Sequence, residues 1–174
     1  MKPFLIAAAL TTTASPASAQ EIFGGIFAHD VETPLNLRGV EPGVDFQAGW
    51  RGERIRGLGF IGSPSPYVFA ALNSDGDAHY AAAGISWKVG GRLYLRPGLG
   101  LAVHTGPIHP DPLEPRRSFG SRILIEPELG IGYHFGERLS AEASWVHMSH
   151  AGLLNGRQNP GIDNIGVRLN YRFR

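Results

Sequence analysis

Apolar and polar residues alternate along most of this chain with a period of two, in segments divided by stretches rich in glycine, proline and charge. That period places successive side chains on opposite faces of a β-strand. Strands are expected at about 21–30, 43–52, 66–73, 79–89, 92–103, 119–135, 138–149 and 162–173, with ends uncertain by about two to four residues. From the fourth strand onward the odd positions form the apolar face. Ala81, Ala83, Ile85, Trp87 and Val89 begin it, and Leu93, Leu95, Leu99, Leu101 and Val103 follow. Ile123, Ile125, Leu129, Ile131 and Tyr133 continue it, and Ile165, Val167, Leu169, Tyr171 and Phe173 end it. The even positions carry Arg92, Arg96, Arg122, Glu126, Glu128, Arg168 or glycine. The first and third segments alternate poorly.

Periodicity does not say whether the apolar face looks inward, as in a sandwich, or out into hydrocarbon, as in a transmembrane barrel. Three features favour the barrel. The strands run to about ten residues, the span of a tilted transmembrane strand. Their number is even. Aromatics gather where membrane edges would fall: Trp87, Tyr133, Phe135, Tyr171 and Phe173 at one end, Trp145 toward the other. The expected fold is an all-β, eight-stranded antiparallel transmembrane β-barrel of the bacterial outer membrane. Its lumen, just wide enough for side chains to fill, should hold Arg96, Arg122, Glu126, Glu128, Glu142 and Arg168 and no pore. Tight turns at Val89–Arg92 and Phe135–Arg138 contrast with long connections at 31–42, 104–118 and 150–161, which sets the first group in the periplasm and the second outside. The connection at 53–65 breaks this rule by being long on the periplasmic side.

The first residues change the compartment. Met1–Pro3, an apolar run from Phe4 to Leu10 and the small-residue site Ala17-Ser18-Ala19 read as a secretory signal peptide over 1–19, leaving 20–174 as one barrel domain. No cysteine is present, so no disulfide staples the fold. The net charge of +1 carries no field that would argue for nucleic acid.

One polar group then stands out against the outward face. On the seventh strand Leu139, Ala141, Ala143 and Trp145 point out, and His147 and Ser149 continue their row. Asp163 opens the eighth strand on the same parity as Ile165. Polar side chains turned toward lipid are costly and ask for a function. His147 and Ser149 are two residues apart, roughly 6.5 Å between Cα atoms by strand rise, so imidazole and hydroxyl can meet. The histidine can then serve as general base to a serine nucleophile, with Asp163 holding its other nitrogen.

"HMSHAGL", "NPGID" and the closing "YRF" resemble the lipid A 3-O-deacylase family (PagL-like), also described as outer-membrane acyloxyacyl hydrolases. The likeness is firmest over Ser144–Phe173, and "GSPSPYVFAALNSDGD" and "RPGLGLAVHTGP" share it. It implies a serine-type ester hydrolase that removes the 3-hydroxyacyl chain at position 3 of lipid A. Ser149 would be the nucleophile, His147 the base and Asp163 the orienting acid, with neither metal nor cofactor. The family usually has Asn after the serine, where this chain has His150. That leaves His150, or backbone N–H groups at Ala151 and Gly152, as oxyanion donors. The family more often uses Glu where Asp163 stands. Lipid A phosphates make Arg116, Arg117 and Arg157 candidate contacts. Lipopolysaccharide and outer-membrane lipids are the expected partners, and a homodimer is left open.

Other signals are weaker. His104, His109, Asp111 and Glu114 lie in a proline-rich loop that suits a metal poorly. An outer-membrane phospholipase is the enzymatic alternative, though a longer chain with calcium would be expected of it. A structural or adhesive barrel without chemistry is the other alternative.

Overall fold

The computed structural model describes residues 20–36, 39, 41–76, 78–110, 113, 116–153 and 161–173. Eight antiparallel strands make a closed barrel. They are β1 (Glu21–Ala28), β2 (Val44–Arg51), β3 (Ser65–Asn73), β4 (Tyr80–Ser86, with a short continuation at Val89–Gly90), β5 (Leu93–His104), β6 (Ile123–His134), β7 (Leu139–Met148) and β8 (Ile162–Arg172). Each strand pairs with its sequence neighbours, and β1 pairs with β8 from Glu21↔Arg172 to Ala28↔Ile165, which removes both edges. Closure is what lipid demands, because backbone groups there have no water to bond. No helix among the described residues is long and apolar enough to cross a membrane. The expected signal peptide, 1–19, lies outside the described residues.

From β4 to β8 the odd positions point outward as expected: Leu95, Leu101, Ile131, Val167 and Leu169 are all at least half exposed. In β1 to β3 the parity is reversed, and Ile22, Ile26, Phe46, Val68 and Leu72 form the outer face. The poor alternation of β1 and β3 has a physical cause. Their inward positions hold Phe23, Phe27, Tyr67 and Phe69, all buried, so both faces are apolar. These rings surround a cation. The Arg168 guanidinium carbon lies 5.1 Å from the Phe23 ring, 5.3 Å from Phe27 and 5.3 Å from Phe69.

The rest of the lumen is the expected charged packing. Arg96 binds Glu142 through Nε at 2.9 Å and Glu128 through Nη1. Arg168 reaches the other oxygen of Glu128 at 2.6 Å. Tyr67 donates to Glu126. Nearer the periplasmic end, Glu21 accepts from Arg51 and Lys88, each at 2.7 Å. Arg122 does not belong to this set. β6 starts only at Ile123, so Arg122 is an exposed loop residue that donates to the carbonyls of His104 (2.6 Å) and Gly106 (2.9 Å). The strand expected from 119 starts late because Phe119 is buried in the mouth, its ring 4.3 Å from that of His104.

The tight turns and the connection after β2, which holds a 3-10 turn at Arg56–Ile61, share one end of the barrel. The connections after β1, β5 and β7 gather at the other end, where His147, Ser149 and Asp163 stand.

Candidate active site

β7 and β8 place His147 and Asp163 directly opposite one another. Ser149 lies one step beyond the end of β7 but keeps the strand path. Its N–H donates to Ile125 O (3.0 Å), and its carbonyl accepts from Ile125 N–H (2.7 Å). Two neighbouring strands therefore hold the three residues in extended backbone. Asp163 Oδ1 is 2.7 Å from His147 Nδ1, and His147 Nε2 is 3.0 Å from Ser149 Oγ. The carboxylate also accepts from Trp145 Nε1–H on Oδ1 (2.8 Å) and from the Thr33 hydroxyl on Oδ2. A carboxyl with so many donors is held as the anion. Nδ1 of His147 then carries the proton, and Nε2 is left to accept from Ser149.

Exposure falls along this chain of groups. Ser149 is partly exposed, His147 is 8% exposed, and Asp163 is fully buried. The Trp145 ring stacks on His147 with centroids 5.9 Å apart. Residues 31–36 cover the carboxylate, with Val31 N–H donating to Asp163 O at 2.7 Å. On the other side Gly161 closes on the imidazole. Its φ is +59°, and a Cβ built there would lie 2.9 Å from His147 Cε1. Only glycine suits both conditions.

His150 is completely buried. Ala151 and Gly152 are exposed and adopt positive φ, +50° and +73°, in a turn directly after Ser149. Arg117 is not at an open surface. It is buried, bonding Asp30 Oδ2 through Nε (3.2 Å) and Nη2 (3.0 Å) and Gly161 O through Nη1 (2.9 Å). As a substrate contact it is corrected: its guanidinium is committed to the loops that shape the site. Arg116 is half-buried, and Arg157 lies outside the described residues. His104 faces Ser121 O at 2.8 Å and His109 is exposed, while Asp111 and Glu114 lie outside the described residues. Among the described residues no cluster suits a metal ion. Thr33 and Gly161 were not singled out from sequence, and Trp145 was named there only as an outward, membrane-edge aromatic and not as a site residue. Trp145 alone carried a signal, since it shares the outward row of His147.

The family model of the lipid A 3-O-deacylase (PagL) matches residues 43–172. The chain belongs to the lipid A 3-O-deacylase family. It is accordingly an ester hydrolase of the outer membrane whose substrate is lipid A. The fold is similar to the crystal structure of the outer membrane enzyme PagL, with 15% identity over 90% of this chain and 100% of that one and a TM-score of 0.57. A de novo designed transmembrane β-barrel gives 11% identity, 91% and 98% coverage and 0.55. The Yersinia pestis outer membrane protein Ail gives 12%, 90% and 99%, and 0.52. At such identities these likenesses carry the fold alone. No curated protein sequence matches the chain.

Proposed function

We propose that this lipid A 3-O-deacylase works through Ser149 as nucleophile, His147 as general base and acid, and Asp163 as the orienting carboxylate. The observation that carries the reading is the unbroken line from Asp163 through His147 to Ser149, at 2.7 and 3.0 Å, on the outer rim. In the first half-reaction Ser149 Oγ attacks the ester carbonyl while its proton passes to His147 Nε2. The tetrahedral oxyanion collapses, the bond to the sugar oxygen breaks, and His147 returns the proton to that leaving oxygen. Water then adds to the acyl-enzyme with His147 again as base, releasing the 3-hydroxy fatty acid and restoring Ser149.

The donors for the oxyanion are best sought at the N–H groups of Ala151 and Gly152, whose positive-φ turn comes directly after the nucleophile. The buried ring of His150 suits support of that turn better. All three proposed catalytic residues come from one chain, so a homodimer is not needed to complete the site. Placing Ser149 at the rim lets the ester arrive laterally from the outer leaflet, with the acyl chain against outward residues such as Ile125 and Leu129.

A fluorophosphonate ester tests the assignment on the folded barrel in detergent. The expected result is one adduct, on the peptide carrying Ser149, lost in His147→Ala. Labelling elsewhere, or labelling that survives His147→Ala undiminished, contradicts it.

A further inference from the structure

The line of proposed catalytic groups does not end at Asp163. Thr33, in the loop after β1 and 130 residues away along the chain, donates its hydroxyl proton to Asp163 Oδ2. The direction of that bond is fixed locally. Thr33 Oγ1 accepts from the N–H groups of Leu35 (3.1 Å) and Asn36 (3.2 Å), closing a turn that the Thr33–Asn36 backbone pair also holds. With its lone pairs so engaged, the hydroxyl has the carboxylate as the acceptor for its proton.

We propose that Thr33 is a positioning residue for the deacylase reaction, setting the rotation of the Asp163 carboxylate so that Oδ1 faces His147. This rests on the assignment of Asp163 above and deepens it. An aspartate has a short stem, and two donors, Trp145 and His147, converge on its Oδ1. A third donor on Oδ2 fixes the remaining torsion, which places both oxygens. The loop that carries Thr33 is itself clamped. Asp30 N–H donates to Asn164 Oδ1 (2.9 Å), Asn36 Nδ2 to Asp30 Oδ1 (2.7 Å) and Glu41 N–H to Asp30 Oδ2 (3.0 Å), and Arg117 pairs with Asp30. Val31 N–H on Asp163 O ties the loop to the same residue that Thr33 orients. Thr33 precedes residue 43, where the family match begins, so this support comes from a segment outside the matched region.

The test compares Thr33→Val and Thr33→Ser in the full chain, with and without Asp163→Ala, measuring acyl release from lipid A in mixed micelles. Thr33→Val should lower kcat about tenfold at unchanged KM, the scale of one hydrogen bond to a charged group, and Thr33→Ser should restore it. In the Asp163→Ala background, Thr33→Val should change kcat by less than about twofold, as expected if it acts only through that carboxylate. The His147 Nδ1–H proton resonance gives a readout independent of turnover, unmoved in Thr33→Ser and displaced in Thr33→Val. Equal losses in both backgrounds, or wild-type kcat with an unmoved resonance in Thr33→Val, overturn the proposal while the catalytic reading stands. Should Ser149→Ala remain fully active, the catalytic reading fails instead. The resonance then decides alone whether Thr33 sets the carboxylate.

Discussion

Replacing Asp163 by asparagine removes a charge at almost constant volume, and the surrounding donors decide how the new amide sits. In many triad hydrolases the amide turns its NH2 toward the histidine, enforces the wrong tautomer and costs about 10⁴-fold. Here that rotation is opposed. Oδ1 receives two donors, Trp145 Nε1–H at 2.8 Å and His147 Nδ1–H at 2.7 Å, so an NH2 in its place would meet the indole N–H head-on. The asparagine oxygen should therefore occupy the Oδ1 position and keep both donors, with the NH2 toward Thr33. The Thr33 hydroxyl can turn its proton away and accept in place of the Asn36 N–H, which keeps Thr33 O at 3.0 Å, whereas the indole N–H cannot turn. His147 keeps its tautomer and loses only the charge of its partner. A hydrogen bond to a charged group contributes roughly 1.5–3 kcal/mol and a neutral one roughly 0.5–1.5 kcal/mol. The difference, about 1–1.5 kcal/mol, corresponds to roughly a tenfold loss in kcat.

Asp163→Asn should thus retain far more activity than Asp163→Ala, in acyl release from lipid A in mixed micelles. Adding Trp145→Phe removes the donor that opposes rotation, and the double variant should fall toward about 10⁴-fold. A loss near that size in Asp163→Asn alone would refute the claim that Trp145 fixes the carboxylate. Wild-type activity in Asp163→Ala would refute the role of the carboxylate itself.

Gly161→Ala forces a Cβ to 2.9 Å from His147 Cε1 at a φ of +59°, so it should displace the imidazole and cut kcat by at least about tenfold; the barrel's circular dichroism should be unchanged, and full activity would contradict the close approach. Burial disfavours a charge on His29, but hydrogen bonds to Asp45 and Glu41 outweigh it and raise its pKa to about 9. The carboxylates are themselves held, Asp45 by Asn73 Nδ2 (3.1 Å) and Glu41 by Arg117 N–H (3.0 Å). Because the folded pKa lies above the ordinary 6.5, this stabilisation is complete below about pH 6.5 and is lost as pH rises through about 9, a change on the order of 3 kcal/mol. The unfolding midpoint in detergent should fall over that window in wild type and less in His29→Gln; identical pH slopes would contradict it. Arg168→Met breaks the 2.6 Å pair with Glu128 in the lumen and should destabilise by roughly 3–5 kcal/mol, partly recovered by adding Glu128→Gln; denaturant unfolding of the two variants checks this, and an unaltered single variant would contradict it.

The barrel was legible where charge marks the inner face. Arg96, Glu126, Glu128, Glu142 and Arg168 alternate with aliphatic residues, and the structure buries all five. It was obscure in β1 and β3, because the lumen there is lined by Phe23, Phe27, Tyr67 and Phe69, which no binary pattern separates from a lipid-facing row. His147, Ser149 and Asp163 were legible together because strand parity is local and β7 and β8 are sequence neighbours. Thr33 was not, since only closure of β1 onto β8 brings its loop over Asp163. Arg117 and Arg122 were misplaced in opposite ways. Arg117 reads as a solvated loop cation but is buried against Asp30. Arg122 reads as a lumen residue but is an exposed loop residue bonding carbonyls at the mouth, because its strand starts only at Ile123.

The central claim is that the hydroxyl of Ser149, activated by His147 at the outer rim, cleaves an ester of lipid A. Mass spectrometry of lipid A from outer membranes carrying either the wild-type chain or Ser149→Ala tests it most directly. The expected outcome is lipid A lighter by one 3-hydroxyacyl group with the wild-type chain, and the intact species with Ser149→Ala folded to the same level. The same lighter lipid A with Ser149→Ala would contradict the account.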